Sequence, residues 1–330
     1  MRWKTVTIET LAGVREAVAP EVISASRATD LPAFHADWFM RRLRAGYAKW
    51  INPFNGRAPY VSFARLRAIA FFTKNPAPML PFLQELEERG IAYYFHFTVN
   101  DYDAEGFEPH VPDLDKRVTV FRELAERIGR HRVIWRFDPL LLAGGLEPHD
   151  LLAKVQSTGD RLHEYTDKLV FSFADISSYA KVQRSLRAAG VPYREFSADE
   201  QVIMGREIGR ICRAWGITPT VCGEEIDLTA YGVEKSRCID DELLLRISHN
   251  DPALVDRFGY NLQPNLFETP ARRAAKDPGQ RKACCCAVSK DIGQYNTCPH
   301  LCVYCYAHTS PAVVHRNVEG RKVDRESITG

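Results

Sequence analysis

From residue 21 onward, short runs of apolar, β-branched and aromatic residues recur along the chain, and most are followed by stretches whose apolar positions repeat at helical intervals. The runs EVISAS (21–26), RAIAFFT (67–73), IAYYFHFT (91–98), RVIWRFD (132–138), KLVFSFAD (168–175) and ITPTVC (217–222) read as strands covered on both faces. Between them, DLDKRVTVFRELAERIG sets Val118, Phe121, Leu124, Ala125 and Ile128 on one helical face and stops at Gly129. PMLPFLQELEERG ends the same way at Gly90, and SADEQVIMGREIGRICRAWG opens with Ser197 and Glu200 in capping-box spacing. Strands alternating with helices imply βα units and a parallel sheet. With a further strand near 286–292 and a short pair at 47–51 and 60–63, the count approaches that of a closed (β/α) barrel of TIM type. An open doubly wound sheet is the alternative, although no G-x-G-x-x-G follows any strand to mark a nucleotide-binding Rossmann domain. The expected division is an N-terminal arm (1–20), a barrel body (21–250), and a connecting segment with a C-terminal cysteine region (251–330) packed on the barrel as one unit. Residues 251–282 show no clear periodicity.

Composition leaves that picture in place, since 330 residues with 45% hydrophobic and 26% charged content can bury a large core. Lys plus Arg 44 against Asp plus Glu 42 gives a net charge of +2, so no whole-chain field advertises nucleic acid or an anionic membrane. No apolar run approaches the roughly 20 residues of a bilayer span. The first 20 residues carry acids without a continuous apolar stretch, so neither a membrane protein nor a secreted precursor is expected. The cysteines do change the picture. All nine follow residue 211, at Cys212, Cys222, Cys238, Cys284, Cys285, Cys286, Cys298, Cys302 and Cys305, and six lie within 22 residues. Clustered thiols in a large chain point to metal ligation in a reducing cytoplasm rather than to a disulfide framework.

The segment Cys298-Pro-His-Leu-Cys302-Val-Tyr-Cys305 has C-x3-C-x2-C spacing. Three thiolates so placed can hold three corners of a [4Fe-4S] cluster and leave the fourth iron without a protein ligand. Such an iron can chelate S-adenosylmethionine and pass it the electron that releases a 5'-deoxyadenosyl radical. The alternative is a zinc knuckle completed by His300 or a distant cysteine, although zinc more often takes paired C-x2-C or C-x4-C arms.

The motif, with Tyr304 before its third cysteine, resembles the signature of the radical-SAM superfamily. The blocks SKDIGQYNTCPHLCVYCYAHTSP (289–311), SASRATDLPAF (24–34), FFTKNP (71–76), VIWRFDP (133–139) and CGEEIDLTAYGVEKSRCID (222–240) resemble, in order, the uncharacterised family named domain of unknown function 1848. The C-Y-A-H-T-S end is similar, more distantly, to spore photoproduct lyase, a radical-SAM DNA-repair enzyme. The resemblance implies a [4Fe-4S] cluster on Cys298, Cys302 and Cys305, S-adenosylmethionine as cofactor, and a reductase, flavodoxin or ferredoxin as electron donor. Tyr304 and Glu224 are then the expected cofactor-binding residues, Gly223-Glu224-Glu225 standing in for a Gly-Gly-Glu motif at the amino group. Ordinary radical-SAM enzymes carry the cluster loop after the first strand, whereas only 25 residues follow Cys305 here. The implied barrel is therefore permuted, its last strand neighbouring its first.

In Cys284-Cys285-Cys286 an extended backbone turns the first and third thiols to one side. The resemblance implies a C-x-C at that place, with Cys222 and Cys238 as further family positions. Four such thiolates suit a second [4Fe-4S] cluster or a zinc ion, while Cys222 at a strand end also reads as a small core residue. Cys212, at an apolar helical position, reads as core.

In a parallel barrel the polar strand ends line the site, which makes candidates of Ser26, Asn75, His96, Thr98 and Asp175. Arg27, Asp30, Lys74, Arg136 and Asp138 are the expected catalytic set, with Arg27 and Lys74 suited to an anionic group and Arg136–Asp138 also readable as a structural pair. Trp135 and Tyr94 read as core. The expected function is a radical-SAM-like enzyme acting on an unknown small-molecule or nucleic-acid substrate. The alternatives are a non-catalytic iron–sulfur or zinc protein, and a nucleic-acid repair or modification enzyme of photoproduct-lyase type.

Overall fold

A computed structural model of the chain describes residues 3–53, 55–260, 276–319 and 324–329. The first half carries strands β1 (Thr5–Thr10), β2 (Gly13–Val18) and β3 (Val22–Ala25), helices α1 (Leu31–Phe34) and α2 (Ala36–Ala45), strands β4 (Tyr47–Lys49), β5 (Tyr60–Ser62) and β6 (Ala68–Thr73), helix α3 (Leu83–Glu88), strand β7 (Ala92–Thr98), helix α4 (Leu114–Ile128) and strand β8 (Val133–Leu140). The second half carries α5 (Pro148–Leu162), β9 (Lys168–Phe173), α6 (Ala180–Ala188), α7 (Ala198–Trp215), β10 (Thr218–Val221), β11 (Glu234–Lys235), α8 (Asp241–Ile247), α9 (Pro252–Phe258), β12 (Lys290–Asp291) and α10 (Pro311–Glu319). Eight strands form one parallel sheet in the order β11-β10-β9-β8-β7-β6-β3-β12. A second, four-stranded sheet joins β1, β2, β5 and β4.

The period-two alternation of each strand divides the core. Ile69, Phe71, Phe95, Phe97, Trp135, Phe137 and Phe171 pack on the side covered by α1 to α7. Their neighbours Ala68, Ala70, Ala92, Tyr94, Ile134 and Val170 face a smaller cluster built from Cys238, Ile239, Leu244, Cys284 and Cys286. The second face therefore buries the segments that flank β11 and β12, and Ala287 N–H donates to Ile239 C=O at 3.0 Å between those segments. No ladder joins β11 to β12 among the described residues.

Several expectations change in detail. The helix expected over 78–90 begins instead as a 3-10 turn at Ala77–Phe82, because Pro78 and Pro81 remove backbone donors, and becomes regular only at α3. The strand near 286–292 shortens to two residues paired with β3. Residues 1–20 contain the β1–β2 hairpin, which adds to the small sheet. The aperiodic 251–282 stretch contains α9, and residues 261–275 of it lie outside the described residues. Ser197 and Glu200 form the capping box at α7, and Cys212 is buried there, its thiol pushed up to about 12 by desolvation. No helix among the described residues is long and apolar enough to cross a membrane.

Close approach of α7 to the chain after β10 depends on Gly209, where an added Cβ would meet the Tyr231 carbonyl oxygen at 2.3 Å. Gly209→Ala should therefore lower unfolding free energy in urea by about 1–3 kcal/mol, reversing the roughly 1 kcal/mol gain that Ala gives in a free helix. An unchanged or raised midpoint would contradict this packing.

Candidate metal centre

A cavity of about 280 Å³ opens over the C-terminal ends of the parallel strands. Cys298, Cys302 and Cys305 line it together with Arg27, Asp30, Lys74, Asp138 and Tyr304, so four of the five expected polar residues share a cavity with the motif thiols. Ser26, Thr98 and Asp175 line it too, whereas Asn75 caps the following turn by accepting from Ala77 N–H at 3.2 Å. Arg136 is absent from the lining. It lies buried beneath, its guanidinium donating to Asp138 and, at 3.2 Å, to the Cys238 sulfur. Glu224 lies in an adjoining cavity of about 360 Å³, which shares Phe173, Ala174, Asp175 and Arg281 with the first. There its Oε1 accepts from Phe173 N–H at 3.1 Å, which leaves it outside the thiol cavity proper.

Two buried carboxylates hold the cysteine loop. Asp30 caps α1 by accepting from Ala33 N–H (3.0 Å) and also accepts from Thr73 Oγ1 (2.7 Å) and Lys74 N–H (2.7 Å) at the end of β6. Its Oδ2 stands 2.9 Å from His300 Nε2, and His300 Nδ1 stands 3.1 Å from the His110 carbonyl. Both ring nitrogens of His300 are thus engaged with protein oxygens, which leaves a distant cysteine as the remaining fourth ligand for a zinc knuckle here. The second carboxylate, Glu108, accepts from Lys74 Nζ at 2.8 Å, from Asn100 Nδ2 at 3.0 Å, from Arg117 and from the Tyr304 hydroxyl. Burial pushes Glu108 upward, but Lys74 and Arg117 outweigh it and leave the carboxyl below its usual range. Burial likewise drives the Cys298, Cys302 and Cys305 thiols up, Lys74 opposing it at Cys302 and Cys305.

Of the remaining thiols, Cys222, Cys238, Cys284 and Cys286 gather on the inner face of the sheet. Cys222 and Cys238 sulfurs are 3.2 Å apart, Cys238 N–H donates to Cys286 Sγ at 3.1 Å, and Cys286 N–H donates to Cys284 Sγ at 3.5 Å. Cys238 is held well below the ordinary thiol range by the hydrogen bonds from Cys222 and Cys286, with Arg136 adding to them. Cys285 turns away to the Ala283 carbonyl, as side alternation requires. Tyr94 and His96 close this pocket from the sheet, each meeting the Cys238 carbonyl, at 2.6 and 2.8 Å. Burial, reinforced by Arg136, pulls His96 down to about 4. Trp135 is core, as expected. Among the described residues, no group of three or more His, Cys, Asp or Glu side chains is arranged to hold a metal ion.

Several supporting residues escape a reading by motif. Glu108 and Asn100 lie in NDYDAEGFEPH, whose many acids read only as a polar loop, and Arg117 sits on the first turns of an ordinary amphipathic helix. Asp291, at the end of β12, accepts from Ser24 Oγ (3.0 Å) and Arg27 N–H (2.9 Å) and pairs with the Arg27 guanidinium.

The chain belongs to the family described as Domain of unknown function (DUF1848), whose model matches residues 22–307. That span opens at β3, passes through every strand of the large sheet and both thiol sets, and closes two residues after Cys305. No curated protein matches the sequence.

The depressed Glu108 carboxyl fixes a pH dependence. A group lowered from 4.5 by folding stabilises the folded chain fully above that value and loses the contribution as pH falls through its folded value. The stability gap between wild type and Glu108→Gln should therefore be wide at neutral pH and narrow progressively below about pH 4.5 in urea titrations. A gap constant with pH would contradict the ion network.

Proposed function

We propose that the chain is a radical-SAM-like enzyme in which Cys298, Cys302 and Cys305 hold a [4Fe-4S] cluster with one iron open to S-adenosylmethionine. The observation that carries this reading is the shared cavity: three thiols at C-x3-C-x2-C spacing face the polar ends of β3, β6 and β8. When bound, such a cluster supplies the electron that cleaves the sulfonium of S-adenosylmethionine into methionine and a 5'-deoxyadenosyl radical. The donor set fits it, with three sulfur ligands and His300 turned away onto Asp30. Phe72, Phe173, Ile176 and Val182 give the space beside the thiols apolar and aromatic walls. Arg27, which lines that space and pairs with Asp291 only at 3.7 Å, is the cation suited to a ligand carboxylate, whereas Lys74 is held at 2.8 Å by Glu108 and donates to the Tyr304 hydroxyl.

The parallel sheet is read further as a permuted barrel. Its support is the Ala287–Ile239 backbone hydrogen bond, which links the segments flanking the two edge strands where a ladder would otherwise close the ring. We assign a second metal, iron–sulfur or zinc, to Cys222, Cys238, Cys284 and Cys286, because the four thiols form one connected group beneath the cavity. The cytoplasm, with its reducing thiol poise, is the compartment that suits both sets. The substrate is a small molecule or nucleic acid that enters the cavity.

Replacing Cys298, Cys302 and Cys305 together by Ala in protein made without oxygen should remove one cluster's worth of iron and sulfide, abolish 5'-deoxyadenosine formation, and leave the metal of the second set. Arg27→Ala should retain iron while losing S-adenosylmethionine cleavage by about 10²-fold or more. Stoichiometric zinc at the three-cysteine motif, or 5'-deoxyadenosine formation undiminished in the triple variant, would overturn the reading.

A further inference from the structure

An enzyme of the kind proposed above needs an electron from outside, and one face beside the cysteine loop carries unmatched positive charge. Helix α6 packs inward through Val182 and Leu186 and turns Lys181, Arg184 and Arg187 away from the core, with no acid anywhere in its sequence AKVQRSLRA. Arg184 and Arg187 are exposed. None of the three has a carboxylate partner among the described residues; Arg281, whose guanidinium lies 5.3 Å from the Tyr179 ring at the foot of the helix, is the one cation here that feels carboxylates, Asp175 and Glu224. Many surface cations elsewhere are matched, among them Arg44 and Arg89 with Glu85, Arg206 and Arg210 with Glu207, and Arg194 with Glu147 and Glu200. The carboxylates close to this face, Asp175 and Glu195, cap the turn at Ser177 and Ser178.

The patch also adjoins the motif. Lys181 Nζ stands 5.7 Å from the Tyr295 ring, which contacts Tyr306, the residue after Cys305, at 6.4 Å. Its charge acts directly on Cys305 and His308. Electron transfer weakens steeply with distance, so a donor must seat close to the thiols, and a like-signed patch in a nearly neutral chain steers an oppositely charged protein to that place.

We propose that the α6 face docks an acidic one-electron carrier protein; this rests on the cluster reading above. In the step it serves, the carrier's reduced cofactor loses one electron and the metal centre of the three-cysteine motif gains it, with no bond made or broken and no proton moved. The test uses the full chain, reconstituted anaerobically with iron and sulfide, and follows cluster reduction by stopped flow with reduced acidic flavodoxin as the probe. The wild-type second-order rate should fall as salt is added, and an Arg184→Glu/Arg187→Glu variant should be slower by about 10-fold or more at low salt, the two converging at high salt. Reduction by a small photoreductant should proceed equally in both. A flavodoxin rate that is equal in the two proteins, or insensitive to salt in the wild type, overturns the docking surface alone. A chain that assembles no cluster overturns the cluster reading and this proposal with it.

Discussion

The burial of the Asp30 carboxylate is the constraint on which the site depends. A carboxylate removed from water costs several kcal/mol unless its lone pairs are filled, and Asp30 meets that cost with four partners drawn from three parts of the chain. One is its own helix α1, two belong to the end of β6, and one is His300 between the first two motif cysteines. The cysteine loop is therefore fixed to the rim by the same group that joins β3 to β6. Asp291 does the same from the other side, tying β12 to Ser24 and Arg27. These contacts let a motif late in the sequence reach the ends of strands that begin near residue 22.

Arg136 links the two levels of the molecule. Its guanidinium joins the Cys238 sulfur on the inner face to Asp138 in the cavity wall, and Asp138 in turn accepts from Ser172. Arg27, which lines the cavity beside the motif thiols, feels the inner set as well: burial opposes its charge, while Asp291, Cys286 and Cys238 favour it. Arg136 and Arg27 thus stand between the inner thiols and the cavity.

Much of this was legible in the sequence because the residues concerned obey short-range rules. Strands such as 92–98 and 133–140 are apolar on both faces, so their identity does not depend on their partners. The polar residues that end them mark the rim, and the cysteine spacing marks the loop that meets it. Other features depend on long-range contacts. Glu108, Asn100 and Arg117 carry no local pattern, since their roles arise only where a polar loop folds under Tyr304. The helix expected over 78–90 was displaced by prolines whose effect on hydrogen bonding outweighs apolar spacing. Glu224 followed a strand end as expected, yet a bond to Phe173 N–H holds it in the neighbouring cavity.

The central claim is that one iron of the cluster on Cys298, Cys302 and Cys305 is open and faces the cavity. Electron paramagnetic resonance of the anaerobically reconstituted, reduced chain, recorded before and after adding S-adenosylmethionine, tests this most directly. The account predicts that the signal lost in the triple cysteine variant is also the signal whose shape changes when S-adenosylmethionine is added. A cluster spectrum that S-adenosylmethionine leaves unaltered would contradict it.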